Sequence, residues 1–491
     1  MANFDLVLSG GTIVTPWGSR VGDLAVEGER IAAIAEPGRL SGASHRTIAL
    51  GAEHVVLPGG IDPHVHCNWV QTDPSTGEKV ASAGPGVVSR AALYGGTTTL
   101  LDFVTTGTGD ITEQVAARDQ LWARESIVDY GLHVILHGRV PEEHIAAIPG
   151  LIRDGYTSFK VFTTTVRPGA QVKWAIDFGS LVQILTVTGA EGGLVAVHAE
   201  DDDMVMHAYD VHLRSGKVDP RYLPDVHDPL SETVAIERVL SASSRIPGSR
   251  VYVMHVSSRM ATEALARAKR AGIAVTAETL HQYTTRTDAD YESAEGMRFH
   301  NYPSLKGADD VAALWEGIAS GTIDTLATDE LCLPYTVKIA GQRIDNAVGG
   351  SSSIETRLAL LYTEAVVKRG IGLSRFADII ATNAARIFGM YPRKGVLGPG
   401  ADADIVVMDT TDRRTIRASE LHESDYNPFE GVEVAAWPMM TVHRGQVVVD
   451  HGVLTDAVRA GNRVERTVEA NGHSRSSGGQ VGQHEAVVTI G

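Results

Sequence analysis

The sequence predicts a TIM-type (β/α)8 barrel, an α/β fold, joined to a small β-sandwich domain that both chain termini build together. Eight apolar, β-branched runs recur through the middle of the chain, each followed by amphipathic, helix-like sequence, and eight such units are the count of a barrel. Both ends of the chain instead read as short strands with Gly-rich turns, a texture typical of hairpins. The same alternation leaves a doubly wound open sheet as the alternative.

The predicted barrel occupies residues 56–394, and the predicted sandwich occupies residues 1–55 and 395–460. The eight strand-like runs are HVVLPGGIDPHVH, TTTLLDFV, GLHVILHGRV, TSFKVFTTT, GLVAVHAED, RVYVMHVSS, IAVTAETLHQY and DTLATDE. Helix-like stretches such as ITEQVAARDQLWARES and ATEALARAKRAG lie between them, and SIETRLALLYTEAVVKRG follows the last. Residues 461–491 are polar and rich in Gly and Ser, so we expect a largely flexible tail there.

The composition excludes several classes of protein. Hydrophobic residues make up 43% of the 491 residues and charged residues 21%, as in ordinary globular proteins. A net charge of −17 argues against binding to nucleic acid or to an anionic membrane. The sequence shows neither a signal peptide nor a run approaching the ~18 apolar residues of a membrane span. Cys67 and Cys332 are its only cysteines, so we expect no disulfide framework and a cytoplasmic location.

Ionisable side chains stand at the ends of the predicted strands, where a barrel places its active site. In LPGGIDPHVH, His64 and His66 are two residues apart, so on an extended strand they point to the same face and can hold a transition metal. Four more strand-like runs contain or end on such a residue: Lys160, His198, His255 and Asp329. A lone histidine at a strand end is more often packed than ligating. Convergence of all these groups on one barrel mouth favours a metal site.

The motifs LPGGIDPHVH, SFKVF, VHAED, MHVSS and ATDE, in this order, resemble those of the cyclic amidohydrolases, the group of dihydropyrimidinases, hydantoinases and allantoinases. The similarity covers nearly the whole chain. The C-terminal segments ATNAARIFGMYPRKGVLGPGADADIVVMD and DYNPFEGVEVAAWPMMTVHRGQVV look most like the dihydropyrimidinase and hydantoinase branch. The resemblance implies a metal-dependent barrel with a sandwich made from both termini, a small-molecule substrate, and a homodimer or homotetramer.

By that resemblance, the strand-end residues would hold two divalent ions. His64, His66 and Asp329 would hold the more buried ion, and His198 and His255 the more exposed one. Lys160, carboxylated on its ε-nitrogen, would bridge both. The resemblance implies that a hydroxide shared by the metals attacks the amide carbon, while Asp329 takes its proton and passes it to the leaving nitrogen. Zinc suits this set of donors best, with manganese or cobalt as alternatives.

The sequence departs from this branch at the positions expected to contact substrate. Thr165 stands where the branch has a tyrosine that stabilises the oxyanion. Glu330 follows Asp329 in place of a histidine, which we expect to disfavour an anionic substrate tail. Tyr302 and Asn346 match the segments that clamp the substrate in the family. These changes leave open the same chemistry on a linear amide or an unusual lactam, and also a non-catalytic, dihydropyrimidinase-related scaffold.

Several other residues have a structural interpretation. Cys67 and Cys332 follow the first and eighth predicted strands and are expected to be buried packing residues. His133 and His137 fall on the third strand, from which the family takes no ligand, so we expect them to be structural. His281, after the seventh strand, could either pack or contact substrate.

Overall fold

The computed structural model describes residues 4–170 and 172–467. Its centre is an eight-stranded parallel sheet whose strands pair in chain order, each with the next. We refer to them as the first to eighth barrel strands: Gly60–Val65, Thr97–Thr105, Asp129–Ile135, Ser158–Phe162, Leu194–His198, Val251–Val253, Val275–Leu280 and Thr325–Ala327. These strands are almost entirely buried, which explains their continuous apolar sequence.

The sheet closes between its eighth and first strands. The backbone N–H of Glu330 donates to the carbonyl of His64 over 3.1 Å, and that of His66 donates to the carbonyl of Glu330 over 2.7 Å. The buried Arg357 guanidinium reinforces this seam, because its Nη2 donates to the carbonyls of both Ile61 and Leu326. The predicted TIM-type barrel is confirmed, and the open doubly wound alternative is wrong.

Helices surround the barrel. The longer ones are Pro85–Tyr94, Ile111–Glu125, Glu142–Arg153, Phe178–Glu191, Asp202–Arg214, Pro229–Ser243, Arg259–Arg270 and Ala308–Ser320. Shorter α-helices are Leu223–Val226, Tyr335–Lys338, Arg357–Leu361, Leu373–Ala377 and Asn383–Ile387. Two π-helical segments, Tyr362–Val367 and Asp378–Thr382, continue the helices that precede them. Many helices begin at an aspartate or serine whose side chain accepts a first-turn N–H, as at Asp110 and Ser258.

Both chain termini build the second unit. Its nine-stranded sheet contains Phe4–Thr15, Gly18–Glu27, Arg30–Ala35, Ser44–Ala49, His54–Pro58, Ile405–Asp409, Trp437–His443, Gln446–Asp450 and Val453–Leu454. Strand Ile405–Asp409 from the C-terminal part pairs antiparallel with His54–Pro58 from the N-terminal part. At the far edge, Ile31 donates its N–H to the Ala401 carbonyl over 2.9 Å, so the sheet folds back over an apolar cluster of its own.

The segment after the sheet packs on the barrel. Val464 donates its N–H to the carbonyl of Tyr130 over 2.7 Å, and the buried Arg466 side chain donates to Ser158 Oγ over 2.9 Å. Residues 461–467 are therefore held in place, in contrast to the flexible tail expected from residue 461. The rest of that expected tail, 468–491, lies outside the described residues. Within 4–170 and 172–467, no helix combines the length and the apolar composition needed to cross a membrane.

Candidate active site

A cavity of about 420 Å³ opens at the C-terminal ends of the barrel strands. Two small strands, Val70–Thr72 and Lys79–Ala81, form a hairpin at its rim. Its wall includes all six residues predicted as metal ligands: His64, His66, Lys160, His198, His255 and Asp329. Five different barrel strands or the residues just after them contribute these side chains, so barrel closure brings them together.

His64, His66 and Asp329 form the most compact group. The Oδ1 atom of Asp329 lies 2.9 Å from His64 Nε2 and 3.1 Å from His66 Nε2. One ligand atom from each of the three residues fits within a mutual separation of 4.8 Å. Burial would raise the pKa of Asp329, but the two imidazoles outweigh it and hold that pKa well below its usual range, so the carboxyl is ionised.

Glu278 supports this group from the seventh barrel strand. Its Oε1 lies 2.7 Å from His64 Nδ1 and accepts the backbone N–H of His255 over 3.2 Å. The second oxygen accepts from the Tyr252 hydroxyl over 2.7 Å. Because Nδ1 of His64 faces a carboxylate, its Nε2 is left for the cavity. Burial opposes charging of His64, but Asp329 and Glu278 together raise its pKa to about 9.

His198 and His255 form the second group. Their ring centroids are 4.5 Å apart. The Nε2 atom of His198 lies 2.8 Å from Glu200 Oε2, and the other oxygen of Glu200 lies 2.7 Å from His227 Nδ1. Glu200 therefore orients His198 and leaves its Nδ1 as the nitrogen available to a ligand. Burial lowers the pKa of His255 well below its usual value, so its imidazole is neutral.

Lys160 is an unusual lysine because it is buried without a carboxylate partner. Its Nζ contacts Met254 Sδ at 2.8 Å and lies 4.8 Å from the centre of the Phe162 ring. No acidic oxygen of the described residues lies within 4 Å of it in an ion pair. Burial lowers the pKa of Lys160 to about 7, although Asp329 and Glu278 oppose the shift.

Strained backbone marks two of the candidate ligands. His255 has a φ of 38° and Asp329 a φ of 50°, in the left-handed region that side chains other than glycine rarely adopt. Each follows its barrel strand by two residues. Such strain persists where surrounding contacts fix it, and it concentrates at functional sites.

Three of the four predicted substrate-contact residues line the same cavity: Thr165, Tyr302 and Asn346. The N–H of Thr165 donates to Asp202 Oδ1 over 2.6 Å, and its hydroxyl accepts the N–H of Ala175 over 3.4 Å. The Tyr302 hydroxyl donates to the carbonyl of Ala347 over 3.1 Å. These contacts hold the Thr165 turn and the Tyr302 ring in place at the cavity.

Glu330, the fourth, lies elsewhere. It is fully buried and does not line the cavity. One carboxyl oxygen accepts the N–H groups of Ser353 and Ile354 over 2.8 and 3.0 Å, and the side chain clusters with Cys332 and Glu423. Burial, with Glu423 adding to it, raises the pKa of Glu330 well above its usual range. The expected negative charge beside the metal ligands is therefore not what this geometry provides.

The histidines and cysteines interpreted as structural are packed. His133 lies between Ser158 Oγ and the Pro63 carbonyl, and His137 bonds the Thr106 carbonyl. His281, which the sequence left open, is buried against Phe429 with its Nδ1 on the Ala327 carbonyl. Cys67 and Cys332 are both buried and unbridged.

Sequence reasoning missed the two carboxylates that orient histidines. Glu200 stands two residues after His198 in VHAED, and Glu278 is a charged residue inside the apolar run IAVTAETL. A buried charge within a strand was the available signal, since such a charge needs a partner. The aromatic pair Trp69 and Trp174, with ring centroids 5.4 Å apart on the cavity wall, gave no signal.

The donor set fits divalent metal ions. His66 and His255 each keep a buried Nδ1 without a hydrogen-bond partner among the described residues. Imidazoles and a carboxylate, backed by second carboxylates, are the ligands and supporting groups that zinc-like ions use.

Comparison with known proteins agrees with this geometry. The family model described as the amidohydrolase family matches residues 55–448. The chain is 32% identical over 450 residues to D-hydantoinase from Geobacillus stearothermophilus, covering 90% of this chain and 92% of that protein. It is also 32% identical over 461 residues to D-hydantoinase from Rhizobium radiobacter, covering 92% and 97% respectively.

Solved structures give the same result. The crystal structure of dihydropyrimidinase from Brevibacillus agri superposes with a TM-score of 0.86 at 29% identity, covering 94% of this chain and 98% of that one. L-hydantoinase (dihydropyrimidinase) from Arthrobacter aurescens superposes with a TM-score of 0.84 at 26% identity, covering 94% and 100%. The relatives thus include proteins named for either enantiomer.

The barrel, its strand-end site and these matches define a hydrolase of C–N bonds. The chain belongs to the amidohydrolase family, within the branch of the hydantoinases and dihydropyrimidinases, which confirms the resemblance read from its motifs. Membership in this branch leaves the non-catalytic scaffold without support.

Proposed function

We propose that this protein is a binuclear metal-dependent hydrolase that opens the ring of a cyclic amide, imide or ureide, such as a hydantoin or a dihydropyrimidine. The observation that carries the proposal is the convergence of four imidazoles, one carboxylate and a buried lysine on one cavity. The names of the relatives supply the substrate class. Zinc is the ion that this donor set suits best, with manganese or cobalt as alternatives.

The chain would hold the ions in two neighbouring groups, with His64, His66 and Asp329 in one and His198 and His255 in the other. Lys160 would bridge them after carboxylation. A buried lysine with a pKa of about 7 is partly neutral near pH 7, and a neutral amine can add to carbon dioxide with release of a proton. When bound, the ions would supply Lewis acidity and lower the pKa of the attacking water.

The other steps fall to side chains of this chain. Asp329, ionised between two imidazoles, would accept a proton from the attacking water and return it to the leaving ring nitrogen. Thr165, Tyr302 and Asn346 would bind and orient the ring in the cavity. The Thr165 hydroxyl accepts the N–H of Ala175 and keeps its own proton, so it is the donor available to the carbonyl oxygen as negative charge develops on it.

A second candidate function keeps this chemistry but acts on a linear amide or an unusual lactam. Thr165 supports it, because the threonine side chain is shorter than the tyrosine side chain that the branch usually places there.

We also propose a cytoplasmic location and a homodimer or homotetramer. Light scattering of the purified protein would distinguish either oligomer from a monomer.

The test is ring opening of dihydrouracil and phenylhydantoin by protein whose metal content is measured in the same sample. We expect about two divalent ions per chain and turnover of at least one ring. Lys160→Ala should lose metal and activity together, whereas Lys306→Ala, which alters another buried lysine outside the cavity, should keep its metal. A fully metallated enzyme that opens neither ring would move the search to linear amides, and a chain that binds no metal would overturn the proposal.

A further inference from the structure

The outer part of the cavity is cationic, although the whole chain carries a net charge of −17. Arg167 and Lys79 line it, and Asp329, at the metal-ligand end, is the only acidic residue among its lining residues in the described chain. The Lys79 ammonium is hydrogen-bonded to Thr72 Oγ1 over 2.7 Å. Arg167 is the other cationic side chain here, and it could bind substrate.

Within residues 4–170 and 172–467, the Arg167 guanidinium has most of its hydrogen-bonding capacity left. Its Nη1 donates a long hydrogen bond of 3.3 Å to the backbone carbonyl of Asp345, whereas a guanidinium carries five N–H donors. No carboxylate of the described residues forms an ion pair with it. The nearby Asp345 carboxylate is engaged instead by Arg343, at 2.9 Å to each oxygen.

The position of Arg167 is held by a strained turn. Val166 has a φ of 71°, which is a genuine outlier for a β-branched residue. The turn is fixed because Val166 N–H donates to Thr164 Oγ1 over 3.1 Å and Arg167 N–H donates to the Thr165 carbonyl over 2.9 Å. Backbone strain of this kind is kept where it positions functional groups.

Arg167 stands on the wall where substrate would be held. Its contact with residue 345 puts it beside Asn346. It also lies near Tyr302: burial raises the pKa of Tyr302, and the Arg167 charge opposes that rise. Trp69 and Trp174, which also line the cavity, stack at 5.4 Å, and Trp69 lies 4.7 Å from the candidate ligand His66. The cavity thus combines candidate metal ligands, an aromatic surface and the Arg167 cation.

We propose that Arg167 binds a carboxylate on the exocyclic substituent of the substrate, so that the preferred ring is one bearing an acidic side chain. The proposal rests on the proposed ring-opening function and names the substrate class. A planar guanidinium can hold a carboxylate through two parallel hydrogen bonds. This proposal reverses the expectation that Glu330 would disfavour an anionic substrate tail. Glu330 is buried away from the cavity and does not repel an anion there.

The experiment compares two matched substrates on the metal-loaded enzyme: a hydantoin with a carboxymethyl group on its ring carbon, and the primary amide of the same compound. We expect the wild type to prefer the carboxylate in kcat/KM. In Arg167→Gln, that preference should fall by about 10- to 100-fold, the range for loss of a charged hydrogen bond, mainly through KM. Arg221→Gln changes the net charge equally but at an exposed site paired with Asp219, and should keep the wild-type preference.

A binding measurement keeps the proposal testable without turnover. Because Trp69 and Trp174 line the cavity, quenching of tryptophan fluorescence by each compound gives its Kd for the wild type and for Arg167→Gln. Equal weakening of both compounds would make Arg167 a purely structural residue and overturn the proposal. Turnover of phenylhydantoin without any preference for the carboxylate would also overturn it while leaving the ring-opening function intact. Absence of turnover with selective carboxylate binding would instead count against the ring-opening function alone.

Discussion

Glu278 is not a candidate metal ligand itself, and it acts on the candidate metal centre through its contact with the His64 ring. Its charge fixes the Nδ1 side of the ring at 2.7 Å and so aims Nε2 into the cavity. Carboxylates in this position orient the imidazole and raise its basicity, and their removal typically weakens metal affinity 10- to 100-fold. The residue is buried and has no access to substrate.

We therefore expect Glu278→Gln to lower metal affinity by about 10- to 100-fold, measured by competition with a chelator. Tyr252→Phe is the matched control, because it removes one hydrogen bond to Glu278 without touching His64, and its effect should be smaller. If both variants bind metal as tightly as the wild type, Glu278 has no role in orienting His64.

The Glu423 carboxyl should make the stability of the folded protein depend on pH. Burial raises its pKa from 4.5 to about 7, and the carboxyl lies in the buried cluster with Glu330 and Cys332. As the pH rises from about 4.5 to about 7, the unfolded chain releases this proton and the folded chain keeps it. The free energy of unfolding falls across that window, by at most about 3 kcal/mol.

Glu423→Gln removes this loss, so its Tm relative to the wild type should rise between about pH 5 and about pH 8. Glu420→Gln, at an exposed position in the same segment, should follow the wild type at both values. Thermal unfolding of the three proteins measures the difference. Parallel behaviour of Glu423→Gln and the wild type would mean that this carboxyl ionises freely in the folded protein.

The candidate ligands could be identified from the sequence, but the direction in which the Glu330 side chain points could not. The six ligand candidates were recognisable because each interrupts or closes an apolar run, and the structure places all six around one cavity. Glu330 follows Asp329, whose φ of 50° breaks the strict alternation of a strand. The direction of the next side chain then depends on tertiary contacts, here the N–H groups of Ser353 and Ile354.

At the scale of elements, the loop after the fourth barrel strand connects the candidate site with a helix. Asp202, in the first turn of helix Asp202–Arg214, accepts the N–H of Thr165 over 2.6 Å and the Thr164 hydroxyl over 3.3 Å. This carboxylate therefore holds the turn that carries Thr165 and the strained Val166. Its loss should loosen the substrate wall and leave the metal ligands in place.

We expect Asp202→Ala to raise KM several-fold while metal content stays at the wild-type level. Asp203→Ala is the control, since it removes a carboxylate from the same helical turn but at an exposed position. Both variants lose a favourable charge at the helix N-terminus, worth about 0.3–1 kcal/mol, so any further loss of stability in Asp202→Ala reports its hydrogen bonds to the loop. An equal KM in Asp202→Ala and Asp203→Ala would show that Asp202 does not control the loop.

Most barrel elements could be predicted because their sequence periods differ so clearly. Buried strands read as continuous apolar runs, and the helices between them are amphipathic. The run SIETRLALLYTEAVVKRG, predicted as one helix, instead divides into Arg357–Leu361 and the π-helical Tyr362–Val367. The apolar pattern of this run fits an α-helix and a π-helical segment equally well, so the sequence cannot show where one changes into the other. The rim hairpin of Val70–Thr72 and Lys79–Ala81 is too short and polar to show a period at all.

At the scale of the whole molecule, a buried charge cluster joins the barrel to the sheet built by both termini. Lys394 Nζ lies 2.5 Å from Asp129 Oδ2 on the third barrel strand, 2.5 Å from Asp404 Oδ2 and 3.0 Å from Asp402 Oδ2. Asp129 also accepts the N–H of Asn462 over 2.8 Å. Burial would raise the pKa of Asp129, but Lys394 and His443 outweigh it and hold it well below its usual range.

Lys394→Met should therefore destabilise the whole protein, because it leaves three carboxylates without their central cation. Breaking a buried ion pair in this way typically costs about 3–5 kcal/mol. Lys368→Met removes an exposed lysine bonded to Glu364 at 2.6 Å, and such surface pairs contribute at most about 1 kcal/mol. Urea unfolding followed by circular dichroism compares the two variants with the wild type. Since the cluster joins both units, Lys394→Met should shift the unfolding of barrel and sheet together. A loss as small as that of Lys368→Met would mean that the other cationic partners, such as Arg393 beside Asp402, already stabilise the carboxylates.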